Sequence, residues 1–96
     1  MSIRQFIQSK RQDILRVASQ HGASNVRLFG SVVRDEASPD SDVDLLVEMA
    51  PDRSLLDRVA LKQDLEALLG HDVDVLTDRS LHWLLRRRIL KEAKPL

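Results

Sequence analysis

Six consecutive residues, Asp42-Val43-Asp44-Leu45-Leu46-Val47, constrain this chain more than any other stretch. Strand side chains alternate between faces, so acids at 42 and 44 with apolar residues at 43 and 45 read as a strand open on one side at its front end. From Leu45 onward the run is apolar on both sides, which places the strand inside a sheet rather than at its rim. A central strand over 42–48 is therefore predicted, with its leading carboxylates exposed to ligand. At the usual strand rise, the Cα atoms of Asp42 and Asp44 are about 6.6 Å apart on one face. Two carboxylates so placed can converge on one hard cation. Magnesium accepts one or two protein carboxylates and completes its octahedron with phosphate oxygens and water. Solvated edge charges are the commoner fate of aspartates, but that reading leaves the adjoining apolar strand unexplained.

Ninety-six residues predict a single domain over 1–96, long enough for a modest core and too short for a second lobe. Apolar residues at 43% and charged residues at 31% are ordinary for a folded protein and argue against disorder. The 15 basic and 15 acidic side chains cancel, so the broad attraction to nucleic acid phosphates is missing and direct duplex binding is not expected. Cysteine is absent, which excludes disulfides, thiolate nucleophiles and zinc–thiolate sites. There is no apolar run of membrane-spanning length and no leader pattern over Met1–Lys10, so a cytoplasmic protein without membrane contact is expected.

Ser2 and Gln5 form a capping-box pattern, and Ile3, Phe6, Ile7, Ile14, Leu15 and Ala18 recur at helical spacing up to His21-Gly22. One amphipathic helix is predicted there. Val26 to Phe29 is a short strand ending at Gly30; Ser31 to Asp35 reads as a helical turn or two, broken at Ser38-Pro39-Asp40. Ser54 and Asp57 cap a second helix whose apolar set, Leu55, Leu56, Val59, Ala60, Leu65, Leu68 and Leu69, runs to a stop at Gly70 and is predicted to cover one sheet face. His71 to Leu76 reads as a third strand, and Leu81, Leu84, Leu85 and Ile89 mark a last helix with Arg86, Arg87, Lys91 and Lys94 opposite, Pro95 ending the order. The fold class is mixed α/β of the α+β type, a small mixed sheet flanked by helices.

A two-metal site needs a further acid from a neighbouring strand. Asp74, between Val73 and Val75, is the candidate, with Asp72 on the same face as its substitute. Gly30 permits close ligand approach, and Ser31 opens a turn whose free N–H groups attract phosphate. Arg34 lies on the same side of that turn and suits either a phosphate or an acid such as Asp42. A metal-bound nucleoside triphosphate is the ligand these residues suggest.

The stretches Leu28-Phe29-Gly30-Ser31-Val32-Val33-Arg34 and Ser41-Asp42-Val43-Asp44-Leu45-Leu46-Val47, followed by Val73-Asp74-Val75-Leu76-Thr77, resemble the signature of the nucleotidyltransferase superfamily related to DNA polymerase beta. Most of the chain is similar to the minimal nucleotidyltransferases (MNT), antitoxins often paired with a HEPN-domain toxin. That resemblance implies a nucleotidyltransferase palm. It implies catalysis by Asp42, Asp44 and Asp74 with two Mg²⁺ held by the same three acids, and nucleotide contacts from Gly30, Ser31, Arg34 and Ser41. The implied reaction transfers AMP from ATP to a hydroxyl, such as a tyrosine of the toxin. Val33 stands where this family commonly has a smaller residue, and Asp35 where it commonly has glycine.

Three functions remain open to such a chain: an enzyme that modifies its partner, a module that neutralises the partner by binding alone, or a transferase acting on RNA ends or small molecules, for which so short a chain has little room. His21, His71 and His82 lack ligand spacing and read as helix-end, strand-entry and helix-surface residues. Trp83 reads as a packing residue before a partner-facing one, and Arg86-Arg87-Arg88 as a solvated helix face or a contact for an acidic partner or its RNA.

Overall fold

The computed structural model describes residues 2–38 and 40–96; the break expected at Pro39, and Met1, lie outside them. Ser2 caps the first helix as its sequence predicts: its hydroxyl accepts the Gln5 N–H at 3.1 Å while the Gln5 side chain accepts the Ser2 N–H at 2.9 Å. The single helix expected up to His21 is instead two, α1 over Ile3–Ser9 and α2 over Arg11–Gln20. The Ser9 hydroxyl donates to the Phe6 carbonyl at 2.6 Å, and the Lys10 N–H is shared between Phe6 and Ile7 carbonyls at 3.2 and 3.0 Å. Such local competition for carbonyls tightens and ends a helix. The break lets Ile7 and Ile14, one on each helix, both become fully buried.

Strand β1, Ala23–Phe29, pairs antiparallel with β2, Val43–Met49. A register shift between Ser24 and Arg27, with Asn25 at φ 48°, forms a bulge in β1. Helix α3, Leu55–Leu69, then carries the chain to β3, Val73–Thr77, which runs parallel to β2 as a helical crossover requires. The capping box of Ser54 with Asp57 and the stop at Gly70, left-handed at φ 67°, are where the sequence puts them. Helix α4, Trp83–Glu92, leads to β4, Lys94–Pro95, on the outer side of β1. Four helices and a mixed four-stranded sheet of order β3-β2-β1-β4 result among the described residues, the mixed α/β architecture expected, with β2 central.

One face of the sheet is dry. Ile7, Ile14 and Ala18 from the first two helices and Leu61, Leu65 and Leu69 from α3 meet Leu28, Val43, Leu45, Val47, Val73 and Val75. The stripe on α3 is narrower than expected. At 3.6 residues per turn, Leu56 and Val59 lie about 140° and 200° round the axis from Leu61, and the structure leaves Leu55, Leu56 and Val59 exposed at 62%, 78% and 40%. Helix α4 buries none of its residues, so the packing role expected of Trp83, which is 76% exposed, is not realised, nor are those of Leu84 and Leu85. Order also continues past the point expected. Pro95 sits in an edge strand, where its missing N–H is tolerated, and the Leu96 N–H donates to the Val26 carbonyl at 3.1 Å.

Candidate active site

The parallel register of β2 on β3 sets Asp44 directly beside Asp74, and the antiparallel register of β1 on β2 sets Phe29, and hence the Gly30 turn, against Asp44 from the other side. Three chain segments from distant parts of the sequence therefore meet at one end of the sheet. Asp44 is half-buried, while Asp42 and Asp74 are exposed. The Asp44 carboxyl is pushed up from its ordinary 3.8 to about 6, first by burial, then by the charge of Asp74 and a hydrogen bond shared with it, and by the charge of Asp42; Arg34 opposes the shift. Asp44 and Asp74 are the intimate pair. Asp42, one residue ahead of β2, acts on Asp44 through charge.

Among the described residues, no three His, Asp or Glu side chains stand close enough to enclose a metal ion as they are. The pair nevertheless suits a hard divalent cation, because Asp44, half-buried against a second carboxylate, keeps a raised pKa despite the opposing charge of Arg34, a conflict such an ion would relieve. Asp72 is less suited than its position in sequence suggests. It precedes β3, its carbonyl accepts the Val43 N–H at 2.8 Å, and it lines a polar groove of about 480 Å³ with Asp40, Ser41, Glu66 and His71.

Gly30 is required by geometry. It adopts φ 78°, and a Cβ at this position would overlap the Asp44 carboxylate. From it springs a short 3-10 turn, Gly30–Val32, whose first carbonyl accepts the N–H groups of Val33 and Arg34 at 3.1 and 3.2 Å. Ser31 sits at the second position of that turn, and its carbonyl accepts the Glu36 N–H at 2.9 Å. Asp35 takes a left-handed φ of 58°, a conformation that glycine adopts without cost. The departure from glycine noted in the sequence thus falls on a residue where glycine fits better.

Arg34 does not pair with Asp42. Its guanidinium donates to Glu92 at 2.7 Å and to Glu36 at 3.0 Å, and these two carboxylates, Glu92 foremost, hold its pKa above the ordinary value. Ser41 is likewise engaged elsewhere: its hydroxyl accepts the Ser38 N–H at 2.8 Å and so closes the loop before β2. Sequence reading missed Glu92. It lies 62 residues from Gly30, whose N–H it accepts at 3.4 Å, and its one distinguishing mark is that it is the sole acid on an otherwise basic helix. Of the histidines, His21 meets Asp64 at 2.6 Å at the end of α2, and His71 packs its ring 6.0 Å from that of Phe6. His82 caps α4 through Nδ1, which accepts the Leu84 N–H at 3.2 Å, rather than lying on the helix surface.

Comparison with known proteins adds to this geometry. The profile of the family described as nucleotidyltransferase domain matches residues 5–96. A protein of Methanocaldococcus jannaschii, named as a candidate protein adenylyltransferase, is 47% identical over 83 residues, 86% of this chain and 89% of its own. A solved structure described as a candidate minimal nucleotidyltransferase superposes with a TM-score of 0.87 at 46% identity, covering 100% of this chain and 97% of its own. A toxin–antitoxin structure with AMP-PNP gives 0.75 at 26% identity, covering 88% of this chain and 69% of that one. A complex of a tri-AMPylated Shewanella oneidensis HEPN toxin with an MNT antitoxin gives 0.69 at 24% identity, covering 92% and 69%, and shares the fold.

Proposed function

Since this chain belongs to the nucleotidyltransferase domain family, we propose that it is a Mg²⁺-dependent protein adenylyltransferase that moves AMP from ATP to a tyrosine hydroxyl of a HEPN toxin and thereby silences it. The observation that carries the reading is the Asp44–Asp74 pair set beside the Gly30 turn. A relative named for protein adenylyl transfer and a similar toxin–antitoxin structure with AMP-PNP support the reading.

Two magnesium ions held by Asp42, Asp44 and Asp74 would lower the pKa of the acceptor hydroxyl and steady the departing pyrophosphate. The residues of the chain do the rest. The Gly30 N–H and the Ser31 turn receive phosphate oxygens, and Arg34 offsets their charge. Ser41 is assigned to the same nucleotide-contacting set through its place ahead of Asp42. The acceptor oxygen bonds to the α-phosphorus, the bond from that phosphorus to the bridging oxygen of the β-phosphate breaks, and pyrophosphate leaves with the electron pair. The hydroxyl proton passes to the Asp74 carboxylate, on the exposed side of the pair. Trp83, Leu84 and Leu85, exposed at 76%, 64% and 49%, form the apolar surface assigned to the toxin in this reading.

The test is incubation of this chain with a HEPN partner, ATP and Mg²⁺, followed by intact-mass measurement of the partner. Added AMP units, lost when folded Asp44→Asn protein replaces the wild type, are the expected result. No mass change with any of the four triphosphates overturns the reading and leaves neutralisation by binding alone.

A further inference from the structure

The Gly30 N–H and the Arg34 guanidinium are donors near Asp44, and in this structure one anion already spans them. One carboxylate oxygen of Glu92 accepts from Arg34 at 2.7 Å and the other from Gly30 at 3.4 Å. The side chain is only 15% exposed. A carboxylate bridging an arginine and a turn N–H uses the same two contacts that two oxygens of one phosphate group would use. Glu92 and a triphosphate cannot both hold them.

The way Glu92 is presented makes its withdrawal feasible. It ends α4, a helix that buries no residue, so moving its last turn unpacks no core. The segment just beyond is anchored independently: Lys94 and Pro95 pair with β1, and Arg11 donates to the Leu96 carbonyl at 2.8 Å. Arg34 also keeps a second carboxylate, Glu36, at 3.0 Å, which holds its guanidinium near the site when Glu92 departs.

We propose that Glu92 is an internal anion that sets the nucleotide affinity of this site, occupying the Gly30 N–H and Arg34 until a triphosphate displaces it. The inference rests on the nucleotide-binding reading above and names a residue that regulates it. A binding site whose competent form is a minority species shows its affinity reduced by that fraction. Removing the competing charge while keeping the shape, as in Glu92→Gln, therefore tightens binding.

The experiment titrates ATP, and separately inorganic tripolyphosphate, into wild type and Glu92→Gln in the presence of Mg²⁺, with melting curves to show that both are folded. Glu92→Gln is expected to bind both probes about three- to tenfold more tightly, corresponding to a competent fraction of roughly 10–30% in wild type. In an Arg34→Gln background the same change at position 92 is expected to have a smaller effect, because the shorter, charge-assisted one of the two contested contacts is gone. Equal or weaker binding by folded Glu92→Gln overturns the proposal while leaving the nucleotide reading intact, as does a gain confined to ATP, which would place the effect away from the phosphates. If neither protein binds either probe, the nucleotide reading itself falls and this inference falls with it.

Discussion

The two faces of strand β2 are built from alternate residues of one heptapeptide and obey opposite rules. Val43, Leu45 and Val47 point into the helical layer, each at most 1% exposed, and they belong to one cluster of buried apolar side chains. Asp44 and Glu48 point the other way with Leu46 between them, and Asp44 is half-buried against a second carboxylate. The first face is satisfied in isolation. The second holds charges that oppose each other, and its raised carboxyl pKa is the signature of a conflict waiting for a cation. Stability and chemistry are therefore separated by the thickness of a strand, and substitutions one residue apart should have effects of different kind.

The sharpest break of that comparison pairs Leu45→Ala with Asp44→Asn. Asp44→Asn should lower adenylyl transfer by at least about a thousandfold, on the order of 4 kcal/mol of barrier, and leave the metal-free protein as stable as wild type or more so at neutral pH. Leu45→Ala, opening a cavity in the dry face, should cost about 2–5 kcal/mol of folding stability. Transfer rates for the first and denaturant melts for both decide the matter. A large stability loss in folded Asp44→Asn would mean that the acidic face also holds the fold together.

A second test uses pH. The folded-state pKa of Asp44, about 6, lies above its ordinary 3.8, so the folded protein binds this proton more tightly than the unfolded chain. The contribution to stability is thus present in acid and lost as pH rises from about 4 through about 6. Asp57 and Glu66 have depressed values, and their contributions run the other way, lost only as pH falls below the ordinary carboxylate range. Melts with a chelator at pH 5 and pH 7.5 should show wild type losing more stability over this interval than Asp44→Asn, and added Mg²⁺ should narrow the gap. Parallel pH curves for the two proteins would show that the conflict at Asp44 is not felt by the fold.

The smallest effect is expected at Asp35. Its left-handed backbone costs an L-residue up to about 1–2 kcal/mol, less for aspartate, and glycine loses part of that gain to its freer unfolded chain. Asp35→Gly should raise the melting midpoint slightly, by the equivalent of about 0.5 kcal/mol. A fall instead would show that the Arg4–Asp35 pair, 3.7 Å apart, outweighs backbone strain.

Much of this architecture could be read from the order of residues, because its signals are local. Period-two alternation located β2 and β3, the Ser2–Gln5 and Ser54–Asp57 pairs located two helix starts, and the left-handed stop at Gly70 located a helix end. The break at Lys10 is not legible in the sequence because two short helices share one apolar rhythm, and the break rests on competing hydrogen bonds of the Lys10 N–H at 3.2 and 3.0 Å. Trp83 and Leu84 were misassigned for a related reason: a helical stripe shows that a face is apolar, not that anything lies against it.

What belonged to the residue order was the chemical inventory and its phase: two acids on one side of a buried strand, a third acid flanked by valines, and a glycine at the turn that ends the first strand. What belonged to folding in three dimensions was adjacency. Pairing of β2 with β3 is needed to bring Asp74 against Asp44, and the path of α4 is needed to bring Glu92 onto Gly30 and Arg34 from 62 and 58 residues away. Periodicity reports which way a side chain points relative to its near neighbours. Strand register and helix docking, set by packing among residues far apart in the chain, determine what it meets there.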